Sequence, residues 1–135
     1  MQKPILTLFI LGMLIAGCAT INDMQRLDRF NEIASDYKLA MRWSDFETVN
    51  SYRKDRKTDD SFEKIEKLQD NIQVISYDVR DLSVSEDSTE VRQVVEIHYY
   101  KLDSMIEKTL KAVEVWEYVE NPGKWVLKGE LPGFK

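Results

Sequence analysis

Two titratable side chains, His98 and Glu114, lie in parts of the sequence that are expected to form strands, and both residue types can act in acid–base chemistry. His98 is the only histidine, and the strand register places it on the outer face of a sheet, opposite Thr109. General acid–base catalysis there requires a second group within about 3 Å and a site that excludes water. The sequence indicates neither, so we expect His98 to face solvent. Glu114 falls on the inner face with Gln93 opposite, and a buried carboxylate needs hydrogen-bonding partners.

Other kinds of chemistry lack the residues they need. One histidine, one cysteine and no aspartate cluster at ligand spacing give no metal site. The sequence has no Ser-His-Asp context, no glycine-rich phosphate loop, and no basic stripe with interleaved aromatic residues. The net charge of −5 argues against nucleic acid or an anionic membrane surface as a partner. We therefore expect a protein without metal, cofactor or catalytic activity.

Three helices are predicted in the first half of the chain. Between residues 23 and 42, apolar residues recur at steps of three and four, which predicts a long helix with one buried face. Ser44 and Glu47 have the spacing of a capping box, which would begin a second, short helix. Asp59 or Asp60 is expected to cap a third short helix.

After Asn71 the period of the apolar residues changes to two and β-branched residues dominate, which predicts strands. Four strands joined by tight turns form an antiparallel meander. The first strand needs a β-bulge near Arg80-Asp81 to keep its apolar residues, including Ile75, on one face. The predicted strands are 72–84, 89–102, 105–120 and 125–131.

Turns at Asp103-Ser104 and Pro122-Gly123 set the register of the last three strands. Because side chains alternate along a strand, two-residue turns would place Trp116 opposite Val91 on one side and Gly129 on the other. Considered separately, the two turns place their paired residues on the same inner face of the sheet. The other predicted inner pairs are Gln93 with Glu114, Val95 with Ala112, Ile97 with Leu110, and Tyr118 with Leu127.

The outer face of this sheet is more apolar than a face that meets only water. Val94 is expected opposite Val113, and Val119 opposite Val126, and contiguous apolar patches tend to mark interaction sites. Valine also favours strands wherever they lie, so an uncovered sheet is the alternative interpretation. The candidate residues for contact with a partner are Val94, His98, Tyr100, Val113 and Val115.

Helices followed by an antiparallel meander predict an α+β fold, in which one long and two short helices pack on a four-stranded sheet. Over residues 23–131 this element order resembles the cystatin-like superfamily, and within it the nuclear transport factor 2-like branch. The sequence departs from that branch because it has no strand pair between the second and third helices. Members of the superfamily range from isomerases and dehydratases to non-catalytic binding and assembly modules, so the resemblance implies no single activity.

The resemblance does imply an alternative role for Glu114. In that branch the space between helix and sheet can open into a pocket, where a carboxylate can act as a base. A pocket containing Gln93, Tyr99, Glu114 and Tyr118 would make this a small-ligand-binding protein or an isomerase-like enzyme. Otherwise Glu114 is structural, at the sheet margin and bonded to Gln93 or a helix residue. Members of the branch often dimerise through the outer side of the sheet, which favours a second copy or another envelope protein as partner.

Cys18, the only cysteine, ends an apolar stretch that begins at Ile5, after the basic Lys3. The stretch is shorter than the ~20 residues of a transmembrane helix. In type and spacing, Ile15-Ala16-Gly17-Cys18 is similar to the lipobox of bacterial lipoprotein signals. An ordinary secretory signal with a chance cysteine is the alternative.

The lipoprotein resemblance implies that residues 1–17 are a signal peptide, removed before Cys18. Diacylglycerol would join the Cys18 sulfur, and an acyl chain such as palmitate would join the freed amine; two or more chains anchor a protein stably. Ala19 replaces the aspartate that retains such proteins in the inner membrane, which favours the outer membrane and the periplasm. Residues 18–22 would form the anchor and a short tether, and 23–135 a single α+β domain. The expected function is that of a non-catalytic binding, accessory or assembly module of the cell envelope.

Overall fold

The computed structural model describes the backbone of residues 3–56 and 59–135 and the side chains of 21–56 and 62–135. The chain forms three helices and four strands in these ranges. The helices are α1 Lys3–Arg42, α2 Phe46–Ser51 and α3 Asp59–Asn71, and the strands are β1 Ile72–Val84, β2 Glu90–Lys101, β3 Glu107–Val119 and β4 Lys124–Lys128. The strands lie in the order β1-β2-β3-β4, and every neighbouring pair is antiparallel. The predicted α+β class, with helices on a four-stranded antiparallel meander, is confirmed.

Helix α1 packs its apolar face on the inner face of the sheet. Phe30 and Tyr37 are buried there, and the Phe30 ring meets the rings of Trp116 and Trp125 edge to face. The helix starts at Lys3 and not at residue 23, so residues 18–22 are helical where we expected an extended tether. The reason is composition: Leu, Met and Ala favour helix, and the one proline of α1, Pro4, lies in its first turn.

No helix within 3–56 and 59–135 is long and apolar enough to cross a membrane. The side chain of Cys18, the predicted lipidation site, lies outside the described side chains. The same holds for Asp59 and Asp60, the predicted caps of α3, although α3 does begin at Asp59.

Helix α2 is capped by Asp45, whose Oδ1 accepts from the Thr48 amide at 3.2 Å. The predicted capping box of Ser44 and Glu47 is therefore wrong. Ser44 has a φ of 56° and is buried, and its hydroxyl accepts a hydrogen bond from the Val74 amide at 2.8 Å. The serine thus joins the end of α1 to β1, and the aspartate one residue later takes the cap.

Two bulges shape β1. The register shifts between Val79 and Asp81, which confirms the predicted bulge at Arg80. A second shift between Val74 and Ser76 was not predicted. Because of it, Val74 is buried while Ile75 is 44% exposed, so the expectation that Ile75 lies on the inner face with its neighbours was wrong.

The predicted register of β2 on β3 is confirmed, including Val91 opposite Trp116 and His98 opposite Thr109. The register of β3 on β4 differs by two residues, since Trp116 lies opposite Leu127 and not Gly129. The loop contains four residues, 120–123, in place of the two predicted.

The Gly123 amide, at a φ of 88°, donates to the Val119 carbonyl at 2.9 Å and closes this wider loop. An offset of two residues keeps every side chain on its predicted face. It does change cross-strand neighbours: Val119 lies opposite Lys124, and Val126 lies opposite Glu117.

Strand β4 ends at Lys128, earlier than predicted, because the chain turns away at Gly129 with a φ of 85°. Its free edge is covered by the chain that follows α2: the Lys54 amide donates to the Leu127 carbonyl, and the Leu127 amide donates to the Tyr52 carbonyl, both at 2.8 Å. The C-terminal segment then returns to the inner face of the sheet, where Phe134 packs on Tyr99.

Candidate functional site

The candidate site is a buried polar cluster on three neighbouring strands. Glu114 of β3 lies opposite Gln93 of β2, as predicted, and Gln93 lies opposite Leu82 of β1. The Tyr77 hydroxyl, also from β1, lies 2.8 Å from Oε1 and 3.0 Å from Oε2 of Glu114. The Gln93 side-chain amide donates to the Tyr77 oxygen at 3.1 Å. A chain of donors therefore runs from the amide through the phenol to the carboxyl group.

Burial controls the ionisation of this cluster. Glu114 is 5% exposed, and loss of solvation raises its pKa to about 7, although hydrogen bonds from Tyr77 and Gln93 act in the opposite direction. Burial, and after it the charge of Glu114, also raises the pKa of Tyr77. Tyr77 therefore remains a protonated donor, and Glu114 changes charge near neutral pH.

Tyr37 brings a second hydroxyl to the cluster from α1. It is fully buried, and its hydroxyl has no hydrogen-bond partner among the described residues. Its ring lies 5.9 Å from that of Tyr77 and 5.1 Å from that of Trp116, both edge to face. Burial, followed by the charge of Glu114, raises the pKa of Tyr37, and Arg53 acts in the opposite direction. The indole nitrogen of Trp116 likewise has no partner in the described structure.

A cavity of about 200 Å³, partly open to solvent, adjoins this cluster. Tyr37, Ala112 and Glu114 form its inner wall, and residues 130–133 of the C-terminal segment form its outer wall. It lies where β4 has left the sheet and β3 continues alone. The cavity can accommodate a small polar molecule near a titratable carboxyl group.

The structure brings together two of the four predicted pocket residues, Gln93 and Glu114. Tyr99 lies elsewhere, where its hydroxyl accepts from the Lys135 amide at 3.0 Å and lies 3.1 Å from the Lys135 carbonyl oxygen. Tyr118 is at the other end of the sheet, with the guanidinium of Arg26 4.9 Å from its ring centre.

Sequence reasoning missed Tyr37 and Tyr77 as members of the site. The apolar periodicity of α1 and β1 did place both side chains on inner faces. Their convergence on Glu114 depends on where α1 crosses the sheet and on the second bulge of β1. Neither the crossing point of α1 nor the second bulge can be predicted from the sequence of a single strand or helix.

The outer face of the sheet carries a second polar group. His98 Nε2 lies 3.0 Å from Glu96 Oε1, and Arg80 binds the same oxygen at 3.1 Å. Hydrogen bonds, first from Arg80 and then from His98, lower the pKa of Glu96. His98 Nδ1 also lies 3.2 Å from the Thr109 hydroxyl. His98 is thus a half-buried member of a surface network.

Among the valines predicted for a partner contact, Val113 is 56% exposed, while Val94 and Val115 are half-buried, as is Tyr100. Val126 is only 7% exposed. Glu117, opposite Val126, forms an ion pair with Lys54 at 3.0 Å. The predicted patch is therefore smaller than expected and is centred on Val113.

A larger groove of about 650 Å³ lies between α2 and α3, with Phe62 and Ile65 on one wall. Phe62 is 80% exposed. Acidic side chains, including Glu47 and Glu66, line the groove. Its buried polar residue, Asn50, already accepts a hydrogen bond from Arg53 at 3.1 Å, and the carboxyl groups that line the groove are exposed. The groove is therefore not the candidate site.

Among the described side chains, those of residues 21–56 and 62–135, no group of three or more His, Cys, Asp or Glu residues is arranged to hold a metal ion. Comparison with known proteins gave no match: no family model fits the chain, and neither a curated protein nor a solved structure is significantly similar to it.

Proposed function

We propose that the protein is a bacterial envelope lipoprotein, held in the outer membrane by acylated Cys18 and facing the periplasm. Its α+β domain, of cystatin-like or nuclear transport factor 2-like class, would be a non-catalytic binding, accessory or assembly module. The observation that carries the proposal is the lipobox-like Ile15-Ala16-Gly17-Cys18 at the end of an apolar stretch. Acylation on two positions would make attachment stable.

The position of the lipobox on α1 supports a domain held close to the bilayer. Arg26, on the same helix, donates to the Asp87 carbonyl at 2.9 Å, and its own carbonyl accepts from the Trp125 indole at 2.9 Å. At about 1.5 Å of rise per residue, Cys18 is only about 12 Å along the helix from this connection to the sheet. Lipid on Cys18 would thus place the Asp87 turn near the membrane.

The surroundings of Glu114 support a non-catalytic domain. Both carboxyl oxygens lie within 3.0 Å of the Tyr77 hydroxyl, and the side chain is 5% exposed. A general base must reach the proton that it removes. A carboxyl group already hydrogen-bonded inside the core is better suited to a structural or binding role.

For a partner, we propose a second copy of the chain on the outer sheet face, centred on Val113. Charges of both signs flank this residue, with Glu96 opposite Lys111 in the adjoining pair. A two-fold contact places the same face against itself, so an acidic residue of one copy can meet a basic residue of the other. A different envelope protein on this face is the other outcome of the test described in the Discussion.

Small-ligand binding is the second candidate function, and an isomerase-like activity would be one form of it. The observation that favours it is the cavity lined by Glu114 and Tyr37. Ligand binding is compatible with the lipid anchor, because the cavity opens at the C-terminal segment and not at the amino end of α1.

The lipid anchor is tested by mass spectrometry of the mature protein from bacterial membranes. We expect the chain to begin at Cys18 and to carry diacylglycerol on sulfur and an acyl chain on nitrogen. Cys18→Ser should accumulate as an unlipidated precursor or a soluble form. Gly17→Ala is the matched control, because it retains a small residue before the cysteine and should be processed normally. An unmodified thiol on Cys18 of the mature protein contradicts the proposal.

A further inference from the structure

A second cavity, of about 260 Å³ and partly open to solvent, lies between α1 and the end of β3. Among the described residues, its walls are Asn22, Gln25, Arg26 and Arg29 of α1 and Tyr118 of β3. Steps of three and four residues lead from Asn22 through Gln25 or Arg26 to Arg29, which places all four on one face of the helix. None of these walls is a carboxylate, so positive charge and N–H donors dominate the cavity.

Arg26 is held at the wall of this cavity by contacts with the sheet. Its Nη1 donates to the Asp87 carbonyl at 2.9 Å, and its guanidinium lies 4.9 Å from the centre of the Tyr118 ring. Its own carbonyl accepts from the Trp125 indole at 2.9 Å. A guanidinium has five N–H donors, and Nη1 is the only side-chain nitrogen of Arg26 that a described residue engages. Arg26 is thus a positioned cation with donors that remain for a ligand.

The carboxylates near the cavity do not cancel its charge. Asp23 Oδ1 lies 3.6 Å from the same nitrogen of Arg26, but the aspartate side chain is 42% exposed, and an exposed pair at this distance contributes little. The Asp87 carboxylate accepts hydrogen bonds from two side chains of its own turn. Arg29 is exposed and forms no ion pair among the described side chains. At least one positive charge at the cavity therefore has no counter-charge.

Apolar side chains on the same helix indicate what this end of the domain meets. Ile21 is 55% exposed and Met24 is 62% exposed, and both precede the arginines on α1. Exposed apolar residues beside arginine are typical of a helix at a membrane surface, where the apolar side chains enter the lipid and the guanidinium groups remain among the head groups. With Cys18 acylated, Asn22 would lie about 6 Å and Arg29 about 16 Å along the helix from the anchor. The phosphates of neighbouring phospholipids would then be within reach of the cavity.

We infer that this cavity binds a phosphate group, either in the head group of a phospholipid or as free phosphate. Phosphate oxygens accept paired hydrogen bonds from a guanidinium, and arginine is the side chain that matches this geometry. An organic cation is repelled by the arginines, and a neutral ligand leaves Arg29 without a counter-charge. At ~30 Å³ for each water in the liquid, the cavity has room for about nine waters, which accommodates a phosphate group with part of its hydration shell.

The overall charge of the protein does not oppose this site. The net charge of −5 disfavours attraction to an anionic surface from a distance. Salt screens charges beyond about 10 Å at 0.1 M, so contacts at the cavity itself decide once the domain is held at the membrane. The phosphate site does not depend on the lipid anchor, whereas a phospholipid as the source of the phosphate rests on the proposed function.

The test uses the purified full-length chain in a neutral maltoside detergent and isothermal titration calorimetry. The probes, at one ionic strength, are sodium phosphate, glycerophosphoglycerol, which is a phosphodiester head group without acyl chains, and sodium acetate. We expect phosphate to bind about tenfold more tightly than acetate, because its additional oxygens can contact both arginines. Affinity for the phosphodiester within a few-fold of that for phosphate assigns the site to a lipid head group. Binding of phosphate alone assigns it to free phosphate.

Three variants locate the site. Arg29→Gln removes the unpaired charge and should weaken phosphate binding about tenfold. Arg29→Lys retains the charge but loses the two-pronged geometry of the guanidinium, so it should weaken binding several-fold. Arg42→Gln is the matched control, because Arg42 is an exposed arginine of the same helix, about 20 Å farther along it, and its loss should change nothing. Circular dichroism verifies that each variant is folded.

The outcomes distinguish the phosphate site from the lipid anchor. Equal affinity for acetate and phosphate, or no binding of either phosphate compound, overturns the inference and leaves the anchor to the mass spectrometry described above. Equal weakening in Arg29→Gln and Arg42→Gln would be a general effect of charge and also overturns it. Should Arg29→Gln not fold, Arg29→Lys decides, since unchanged phosphate affinity in that variant places the binding elsewhere. An unmodified Cys18 thiol together with retained phosphate binding supports the site with free phosphate as its ligand.

Discussion

The Tyr77 hydroxyl lies 2.8 Å and 3.0 Å from the two carboxyl oxygens of Glu114, so one phenolic proton joins β1 to β3 inside the core. Gln93 of the intervening strand donates to the same phenol. The three strands thus share one hydrogen-bonded group at the place where the core would otherwise be apolar. The stability of the fold should depend on each member of this group in a different and measurable way.

The first prediction concerns Tyr77. Tyr77→Phe retains the ring but leaves Glu114 without its main donor and Gln93 without its acceptor. Loss of one partner from a buried hydrogen bond costs about 1–3 kcal/mol, and we expect a decrease of that size in the free energy of unfolding in urea. Tyr100→Phe on the outer face is the matched control and should change it by less than about 0.5 kcal/mol. Equal effects in the two variants would show that the Tyr77 hydrogen bond is not important for stability.

The second prediction concerns pH. The pKa of Glu114 is about 7 in the folded protein and 4.5 for the free group, so between these values the folded state holds a proton that the unfolded state has lost. The contribution of Glu114 to stability should therefore be largest below pH 4.5, fall as the pH rises from 4.5 to about 7, and level off above that. The contribution of this group is on the order of 3 kcal/mol.

Urea unfolding of the wild type and of Glu114→Gln at a series of pH values isolates this contribution. The glutamine cannot titrate, so the difference between the two curves should change with pH only over the interval given above. Glu120→Gln, which removes an exposed carboxylate from the loop between β3 and β4, should run parallel to the wild type. Wild-type stability that decreases relative to that of Glu114→Gln as the pH falls would mean that Glu114 has a lowered pKa and a cation nearby.

The third prediction concerns Tyr37. Its hydroxyl is buried and has no partner among the described residues, so Tyr37→Phe removes a group that lost its solvation without compensation. We expect the variant to be as stable as the wild type or more stable by up to about 1 kcal/mol. The measurement is thermal and urea unfolding, with Tyr77→Phe as the contrasting variant. A loss as large as that of Tyr77→Phe would mean that the Tyr37 hydroxyl has a bound partner in the purified protein.

The placement of Glu114 was predictable because it depends on local rules. The loop between β2 and β3 contains residues 102–106 and is wider than the predicted two-residue turn, but the register is centred on Asp103-Ser104 as predicted. Alternation along the two strands then determines that Glu114 faces inward beside Gln93. The bulge at Arg80 was predictable for a similar reason, because the apolar residues of β1 change phase there. In each case a pattern within one hairpin was sufficient.

The features that the sequence did not predict depend on the conformation of loops and on contacts between distant segments. The loop of residues 120–123 could close with two residues or four, and both choices keep the same face of β4 inward. Ser44 and Asp45 are both residue types that cap helices well. Ser44 accepts a hydrogen bond from the Val74 amide, which is far along the chain, so Asp45 caps α2. The cavity arises from the early end of β4 and the return of the C-terminal segment, neither of which has a local pattern.

The last prediction concerns the outer sheet face. Val113 is 56% exposed at the centre of this face, and Val115 beside it is half-buried, although neither contributes to the core under α1. If a second copy covers the face, Val113→Lys with Val115→Thr should convert a dimer to a monomer, because apolar area is lost and like charges are brought together across the two-fold axis. Sedimentation velocity measures the change, and circular dichroism should be unaltered. Leu39→Lys, which alters a residue of α1 that is 55% exposed, is the matched control and should leave association unchanged. If the wild type is monomeric but binds another envelope protein through Val113, that protein is the partner. If the wild type is monomeric and the double variant loses no binding to any envelope protein, these valines only reflect the preference of strands for β-branched residues.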